Sequence, residues 1–386
     1  MHEILTLNKI ADVGLELFDK NNFAVEDEVS NPVGIVLRSY NMHDMELPEN
    51  LLGVSRAGAG VNNIPIDECT KRGVVVFNTP GANANGVKEL VLASLLIASR
   101  NIVDGVNWAQ TLKDKDGVPA LVEKGKAAFI GTEIAGKKIG VIGLGAIGSL
   151  VAGACDKLGM EVYGYDPYMS VEAAWNLSRG IKKANGIDDI LENCDFISLH
   201  MPLTNDTKNL INADSFDKMK ATAVLVNFAR GELVNDDAVV DAVNNNKIAR
   251  YITDFPNEKL IGVKNIIAVP HLGASTQESE DNCARMACNE LKHYLLYGNI
   301  RNSVNFPNCE MPVSNTKRIC IFNDNIPDVI GGITKVLSNK GINIEHMINK
   351  SEKNHAYNII EVTDTNLDGV AEELLNVKGV TKVRII

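Results

Sequence analysis

Two short segments of the chain carry side chains that suit acid–base and anion-binding chemistry. Arg230 and His271 each follow an apolar stretch that predicts a buried strand, near residues 222–227 and 265–269. A histidine can take up and return a proton near neutral pH, and a guanidinium binds a carboxylate through two parallel hydrogen bonds. The pair therefore suits the oxidation of a 2-hydroxy acid, in which a base removes the hydroxyl proton as a hydride leaves. Taken singly, His271 could be a structural histidine and Arg230 a surface residue.

A glycine-rich turn predicts where the hydride acceptor binds. Gly143, Gly145 and Gly148 follow an apolar strand at 138–142. A helical stretch and a second strand come next, and that strand ends at Asp166. This order is the dinucleotide-binding fingerprint, with the pyrophosphate at the helix N-terminus and the acid on the adenosine ribose. No arginine directly follows Asp166 to pair with a 2′-phosphate, so the sequence predicts NAD rather than NADP.

Alternating strands and helices predict an α/β fold that positions these groups. Residues 136–270 alternate apolar strands with helical stretches, which indicates a doubly wound parallel sheet of the Rossmann type. The first hundred or so residues alternate in the same way, and 279–297 is predicted to be a long helix that returns the chain to them. We expect 101–132 to be an irregular connection and 302–316 a linker. Residues 317–386 follow the order βαββαβ, a ferredoxin-like arrangement.

Composition and charge argue against several classes of protein. A chain of 386 residues with 45% hydrophobic residues predicts a soluble globular protein of two or three domains. Its net charge of −11 argues against a nucleic-acid or anionic-membrane partner, and no apolar run approaches the length of a membrane span. Seven scattered cysteines without a Cys-x-x-Cys pair indicate reduced thiols and a cytoplasmic location. Neither a secretory signal nor a metal-ligating cluster is apparent in the sequence.

Two further arginines predict a second anion-binding site. Arg38 ends one predicted strand, and Arg56 ends the next strand and begins a glycine-rich turn with Ala57 and Gly58. Asn78 closes the strand after that. In an acidic protein, two guanidinium groups beside glycine amides favour a second anion such as a phosphate. Both arginines could also be ordinary solvated residues.

These motifs together resemble the NAD-dependent D-2-hydroxyacid dehydrogenases. The resemblance covers about residues 30–305 and rests on the glycine turn, Asp166 and the stretches 227–231 and 270–276. It implies a Rossmann domain that binds NAD and a split, flavodoxin-like domain that binds the substrate. The predicted boundaries are 1–100 with 277–305 for the substrate-binding domain, 101–276 for the NAD-binding domain and 317–386 for a C-terminal domain.

The same resemblance implies roles for individual residues. Arg230 is expected to bind the substrate, His271 to be the acid–base group, and a glutamate to pair with the imidazole. The family places that glutamate five positions after an aspartate, whereas Glu258 stands four positions after Asp254 here. Glu258 is our candidate, and a solvated loop acid is the alternative. The residues expected at the NAD site are Thr79, Gly143, Gly145, Ala146, Ile147, Gly148, Asp166, Met201, Phe228, Ala229, Arg230, Asp254, His271, Gly273 and Ala274.

The C-terminal segment resembles an ACT domain, a module that binds amino acids at dimer interfaces. Asn323, Asn325 and Asn343 match the positions expected to contact such an effector, and L-serine is the predicted one. The residue after Pro327 is a glycine in the family and Asp328 here. The segment could instead serve only for dimerisation. A homodimer or homotetramer is expected.

With the resemblance added, the loop at Arg56 looks like a phosphate-binding loop, and the ACT-like segment is one that several enzymes of the family use to sense serine. The resemblance therefore implies NAD-dependent oxidation of 3-phospho-D-glycerate to 3-phosphohydroxypyruvate, the first step of phosphorylated L-serine biosynthesis. Two alternatives stay open: another dehydrogenase of the family, such as a hydroxypyruvate or glyoxylate reductase, and a non-catalytic NAD-sensing protein. The intact pair of Arg230 and His271 favours an enzyme.

Overall fold

The computed structural model describes residues 1–363 and 366–386, and the chain divides into two compact units. Unit 1 comprises Met1–Ala82 and Glu280–Ile386, and unit 2 comprises Asn83–Ser279. Within the described residues, every helix is too short or too polar to cross a lipid bilayer. The division into three domains that the sequence suggests stays a prediction.

A five-stranded parallel sheet forms the first part of unit 1. Its strands are β1 (His2–Leu7), β2 (Phe23–Glu26), β3 (Gly34–Leu37), β4 (Gly53–Arg56) and β5 (Val75–Phe77), with helices α1 (Asp12–Leu15) and α2 (Ile66–Lys71). The order β2-β1-β3-β4-β5 is that of flavodoxin-like sheets. All residues of β3 and β5 are buried, as expected where both faces of a parallel sheet are covered.

A seven-stranded parallel sheet forms the core of unit 2. Its strands are β6 (Lys138–Ile142), β7 (Glu161–Tyr165), β8 (Lys182–Lys183), β9 (Phe196–Leu199), β10 (Val224–Asn227), β11 (Arg250–Thr253) and β12 (Ile266–Ala268). The order β12-β11-β10-β9-β6-β7-β8 confirms the Rossmann-type prediction. Because the chain winds from β6 to β7 on one side and returns to β9 on the other, the switch point lies between β6 and β9. Ligands of such sheets bind outside the carboxyl ends of the strands at this point.

Eight α-helices accompany this sheet, and two of them correct the prediction of an irregular connection over 101–132. They are α3 (Ala84–Arg100), α4 (Ile102–Gln110), α5 (Val118–Gly125), α6 (Ala146–Lys157), α7 (Val171–Trp175), α8 (Ile187–Asn193), α9 (Ala213–Lys218) and α10 (Asp236–Asn244). No described residue of α4 or α5 is fully buried. Both helices are amphipathic, but Ile102, Val103 and Val106 of α4 remain exposed in unit 2.

A four-stranded antiparallel sheet completes unit 1. It follows α11 (Gln277–Tyr297), and its elements are β13 (Lys317–Asp324), α12 (Val329–Asn339), β14 (Ile344–Glu352), β15 (His355–Val362), α13 (Val370–Leu375) and β16 (Val380–Ile385). The order β14-β15-β13-β16 confirms the ferredoxin-like prediction. One face packs against α12 and α13. On the other face, Phe322 and Tyr357 share a core with Leu291 of α11 and with Phe77 of the first sheet.

The segment predicted as a linker, 302–316, is partly an edge of the first sheet. The Val304 N–H donates to the Val76 carbonyl (2.9 Å). The Asn305 side chain accepts from the Val76 N–H (2.9 Å) and donates to the Val74 carbonyl (2.9 Å). These bonds satisfy the outer edge of β5, which would otherwise present unpaired backbone groups.

A lysine on β16 closes the end of helix α2. The Lys382 ammonium donates to the carbonyls of Arg72 (3.3 Å) and Gly73 (3.0 Å), at the carboxyl end of α2. Cations are favourable at this end of a helix. Burial lowers the pKa of Lys382 to about 8, with smaller contributions from the charges of Arg384 and Arg72. Unit 1 is therefore stabilised by contacts between strand β16 and the end of helix α2.

Helix α11 carries a carboxyl group in its buried face. Glu290 accepts a hydrogen bond from the Asn302 side-chain amide (2.6 Å), while its other oxygen has no hydrogen-bond partner among the described residues. Burial raises the pKa of Glu290 to about 8 from its ordinary value of 4.5. The native state thus retains a proton at pH values where the unfolded chain loses it, and the free energy of unfolding decreases as pH rises from about 4.5 towards 8.

Glu290→Gln is expected to stabilise the protein, and more at pH 8 than at pH 5. The amide preserves the bond to Asn302 and removes the ionisable group, so the gain at pH 8 is at least about 1 kcal/mol. Urea unfolding at both pH values measures it, with Glu49→Gln as an exposed control. An equal change at the two pH values contradicts the assignment.

Candidate active site

The glycine turn after β6 has the geometry of an anion cradle. Gly143 has a φ of 91°, and a Cβ there would lie 2.5 Å from the His200 carbonyl oxygen. A Cβ on Gly148 would lie 1.9 Å from the Gly143 oxygen, so helix α6 packs directly over the strand end. At Gly145, by contrast, a Cβ would meet nothing within 4 Å. The N-terminus of α6 is therefore open to a phosphate group.

Asp166 lies beside this cradle at the end of β7. One carboxylate oxygen accepts from the Leu144 N–H (2.9 Å), and the other accepts from the Tyr168 N–H (2.9 Å). These bonds hold the half-buried carboxylate next to the glycine turn, where the ribose of a dinucleotide would lie. Ala146 and Ile147 occupy the first turn of α6. The residues of this region fit the pyrophosphate and ribose of NAD.

Residues after β9 close the other side of the cradle. Met201, half-buried, is the second residue beyond the strand. His200 before it is half-buried, and its Nε2 lies 2.8 Å from the Ser198 hydroxyl. Burial lowers the pKa of His200 to about 4, so this imidazole is neutral at physiological pH. Sequence reasoning missed His200, although a histidine directly after an apolar strand was a usable signal.

The turn after β10 presents Arg230 at the carboxyl edge of the sheet. The buried Asn227 amide donates to the Arg230 carbonyl (2.8 Å), and its oxygen accepts from the Ala229 N–H (3.2 Å). Phe228 is buried inside this turn, and the Arg230 side chain is exposed. Asn227 thereby fixes the backbone that carries the guanidinium. Sequence reasoning missed this positioning role of Asn227, although a polar residue at the end of an apolar strand is a signal for such a role.

Asp254 and His271 lie at the ends of the next two strands. Asp254 is 2% exposed, and its Oδ2 accepts from the Gly273 N–H (3.3 Å), whereas Oδ1 has no hydrogen-bond partner among the described residues. Burial raises the pKa of Asp254, and the charges of His271 and Arg230 act in the opposite direction. The His271 ring, exposed, stands edge-on to Phe255 at 5.2 Å between centroids. Unit 2 thus brings Arg230, Asp254 and His271 into one electrostatic cluster.

Glu258 is exposed in the loop after β11. Neither a hydrogen bond nor an ion pair joins it to His271 in the described part of the chain. The carboxylate whose charge acts on His271 is Asp254. The pairing of Glu258 with the imidazole stays a prediction. Ala274 follows Gly273 in the same turn and is half-buried.

The residues predicted for a second anion gather in unit 1, at the carboxyl edge of its parallel sheet. Arg56 Nε donates to the Arg38 carbonyl (2.9 Å), and Arg38 Nη1 lies 2.7 Å from Glu280 Oε1. The Asn78 amide donates to the Ala59 carbonyl (2.6 Å), and the Thr79 N–H donates to the Gly58 carbonyl (3.1 Å). The segment from Arg56 to Gly60 is therefore held by hydrogen bonds to Arg38, Asn78 and Thr79, and Ala57 within it is buried.

The residues predicted for an effector lie on the C-terminal sheet and beside it. Asn323 is buried; its amide donates to the Asp324 carbonyl (2.7 Å), and its oxygen accepts from the Asn358 amide (2.7 Å). The Asn325 amide donates to the Lys353 carbonyl (3.0 Å), and Asn343 lies in the exposed connection before β14. Asp328 has a φ of 73°, the left-handed conformation that the family's glycine would allow.

Comparisons with known proteins agree with this geometry. Residues 92–273 match the model of the family described as D-isomer specific 2-hydroxyacid dehydrogenase, NAD binding domain. The D-3-phosphoglycerate dehydrogenase of Archaeoglobus fulgidus is 33% identical over 329 residues, covering 80% of this chain and 60% of its own length. The D-3-phosphoglycerate dehydrogenase of Haemophilus influenzae is 29% identical over 370 residues, covering 92% of this chain and 86% of its own length.

A solved structure shares the fold. The NAD⁺-bound 3-phosphoglycerate dehydrogenase of Entamoeba histolytica superposes with a TM-score of 0.61 at 24% identity, covering 79% of this chain and 98% of that one. The match over 92–273 takes in the glycine cradle, Asp166, Arg230 and His271. Residues 92–273 therefore match an NAD-binding domain of the D-isomer specific 2-hydroxyacid dehydrogenases.

Proposed function

We propose that the protein oxidises 3-phospho-D-glycerate to 3-phosphohydroxypyruvate with NAD, the first step of phosphorylated L-serine biosynthesis. The observation that carries this proposal is the cluster of Arg230, Asp254 and His271 in the unit that holds the NAD cradle. Relatives such as the Archaeoglobus fulgidus protein, whose name is D-3-phosphoglycerate dehydrogenase, support the choice of substrate.

Each residue of the cluster has a distinct task in this reaction. The exposed Arg230 guanidinium binds the substrate carboxylate bidentately and so orients C2. His271 accepts the proton of the C2 hydroxyl and returns it in the reverse direction. NAD held at the glycine turn of Gly143, Gly145 and Gly148 would supply the acceptor for the hydride from C2. Asn227 positions Arg230 through its backbone bonds.

Asp254 is the carboxylate that we assign to His271. Its buried negative charge favours the protonated imidazole that forms during oxidation. Its bond from the Gly273 N–H also fixes the turn that follows His271. Glu258 is exposed, and in the part of the chain that the structure describes no hydrogen bond or ion pair joins it to the imidazole.

For the phosphate we assign Arg56 and the glycine turn that it begins, with Arg38 as a second cation. Arg56 is held by its bond to the Arg38 carbonyl. The N–H groups of Ala57 and Gly58 already donate to the carbonyls of Leu37 and Arg56 (2.8 Å each), so the contacts that we assign to the phosphate come chiefly from the guanidinium groups. A dianionic phosphate makes short, charge-assisted bonds to a guanidinium, whereas a plain hydroxyl does not. This difference would separate the phosphorylated substrate from hydroxypyruvate.

The remaining assignments are extensions of this proposal. A homodimer or homotetramer is supported by the exposed apolar residues of α3, α4 and α5 in unit 2, among them Leu96, Ile102 and Val106. L-serine is the proposed effector of the C-terminal domain, which we propose to be of the ACT type. A cytoplasmic location is supported by seven buried free thiols.

His271→Asn is expected to lower kcat by roughly a hundredfold or more, because asparagine cannot exchange the hydroxyl proton. NADH affinity, followed by fluorescence titration, should change little. Turnover that survives this substitution would show that the mechanism is wrong. Full loss of NADH binding would instead indicate a damaged NAD site, and His271→Gln would then be the second variant measured.

Asp254→Asn is expected to shift the pH profile of oxidation. Without the carboxylate the neutral imidazole is favoured, so the acidic limb of kcat/KM moves to lower pH. Glu258→Gln is the matched control, and its profile should overlay that of the unsubstituted protein. A shift of the pH profile with Glu258→Gln but not with Asp254→Asn would show that Glu258 is the carboxylate that acts on His271.

The substrate is tested by following NADH oxidation with 3-phosphohydroxypyruvate and with hydroxypyruvate. A phosphate held by a guanidinium should give roughly a hundredfold preference or more in kcat/KM. Arg56→Met should reduce this preference and leave the rate with hydroxypyruvate close to unchanged. Equal rates with both substrates in the unsubstituted protein would contradict the phosphate site. The protein would then be a general 2-oxoacid reductase.

A further inference from the structure

The chain beyond two neighbouring strands of unit 1 carries the residues of the proposed anion site. The ends of β3 and β4 lie side by side, with Leu37 opposite Arg56. The bond from the Ala57 N–H to the Leu37 carbonyl (2.8 Å) extends this pairing by one residue. Both segments then leave the sheet. Contacts other than strand pairing must therefore fix the two arginines.

Asn63 supplies such contacts. Its side-chain nitrogen donates to the Tyr40 carbonyl (2.7 Å) and to the Arg38 carbonyl (3.3 Å). Its backbone carbonyl accepts from the N–H of Met42 (2.9 Å), a fully buried residue. Because both acceptors of the side chain are carbonyl oxygens, only the nitrogen of the amide can face them. Asn63 thus holds the segment 38–42 that follows β3.

The Arg38 carbonyl is shared between Asn63 and Arg56. It accepts from Arg56 Nε (2.9 Å) as well as from the Asn63 amide, so both lone pairs of this oxygen are used. The bond to Nε is one of the contacts that set the direction of the Arg56 guanidinium. Movement of the carbonyl away from Nε would remove that constraint on the guanidinium.

The other end of the Asn63 amide shows that this arrangement has a cost. Its Oδ1 is buried and has no hydrogen-bond partner among the described residues. An unpaired buried acceptor is destabilising, and an apolar side chain at this position would avoid it. The benefit of an asparagine here therefore lies in the two bonds that its nitrogen donates.

We propose that Asn63 is a positioning residue for the phosphate of the substrate, acting through the Arg38 carbonyl on the Arg56 guanidinium. Asn63 makes no contact with the phosphate in this arrangement. Its amide fixes the carbonyl to which Arg56 Nε donates, so the guanidinium loses less rotational freedom when the phosphate binds. This inference deepens the proposed function and rests on it for the identity of the ligand.

The test is a double-mutant cycle on Asn63 and Arg56. Asn63→Ala, Arg56→Met and the double variant are compared with the unsubstituted protein. Inorganic phosphate is titrated into each by calorimetry, and KM and kcat are measured with 3-phosphohydroxypyruvate and with hydroxypyruvate. Asn50 is exposed in the connection between β3 and β4, so Asn50→Ala removes the same amide elsewhere and is the matched control. Urea unfolding shows whether each variant is folded.

Asn63→Ala is expected to weaken phosphate binding and to raise the KM for 3-phosphohydroxypyruvate by roughly two- to tenfold, the range of one hydrogen bond. The kcat and the KM for hydroxypyruvate should stay close to those of the unsubstituted protein, because neither depends on the phosphate. In the Arg56→Met background the same substitution should change the KM for 3-phosphohydroxypyruvate little. Asn50→Ala should change none of these values.

Unchanged phosphate affinity in Asn63→Ala would overturn the inference. An equal rise in KM for both substrates would overturn it as well, since it indicates a general loss of structure. A full effect of Asn63→Ala in the Arg56→Met background would show that Asn63 acts by another route. If Asn63→Ala does not fold, Asn63→Ser, which keeps one donor, is taken through the same cycle.

The proposed function can fail separately from this inference. If the unsubstituted protein does not distinguish 3-phosphohydroxypyruvate from hydroxypyruvate, the assignment of the substrate is wrong. The titration with inorganic phosphate still decides the role of Asn63 in that case, because it requires no turnover.

Discussion

The close contact between helix α6 and the turn after β6 is the constraint on which unit 2 depends. A Cβ on Gly148 would lie 1.9 Å from the Gly143 oxygen, and Gly143 in turn backs onto the His200 carbonyl. The helix can therefore begin directly above the strand end, with its unpaired N–H groups facing outward. Because β6 and β9 flank the switch point, the same contact fixes where the sheet opens to a ligand.

The chemistry of the site follows from the ends of neighbouring strands. Arg230, Asp254 and His271 come after β10, β11 and β12, which are adjacent and parallel, so their carboxyl ends meet at one edge. The backbone of each is fixed locally, by the Asn227 amide in one case and by the Asp254 carboxylate in another. Asp254 is buried, and its Oδ1 has no hydrogen-bond partner among the described residues, which is the cost of placing a charge beside the imidazole.

Sequence reasoning succeeded where the physical cause is local. The glycine spacing, the strand ends and the βαββαβ order each depend on neighbouring residues, and the structure confirms those elements. Helices α4 and α5 were missed although both are amphipathic, because Gly105, Gly117 and Gly125 in and beside them are typical of loops. The ion pair of Arg38 with Glu280 could not be predicted, because the two residues are far apart in sequence and meet only in the folded unit. The buried Asn358 side chain is hydrogen-bonded to both Asn349 and Asn323, and these contacts could not be predicted because they depend on strand register.

The outer edge of β5 and the end of α2 have a consequence for the order in which the chain folds. Their backbone groups are satisfied by Val304, Asn305 and Lys382. On a ribosome, residues 1–82 are synthesised before unit 2, whereas these partners are synthesised after it. Contacts between such distant segments form slowly, and an open sheet edge invites association with other chains. The N-terminal sheet therefore reaches its native state only after these later segments have been synthesised, and it is most in need of chaperone protection while unit 2 is being translated.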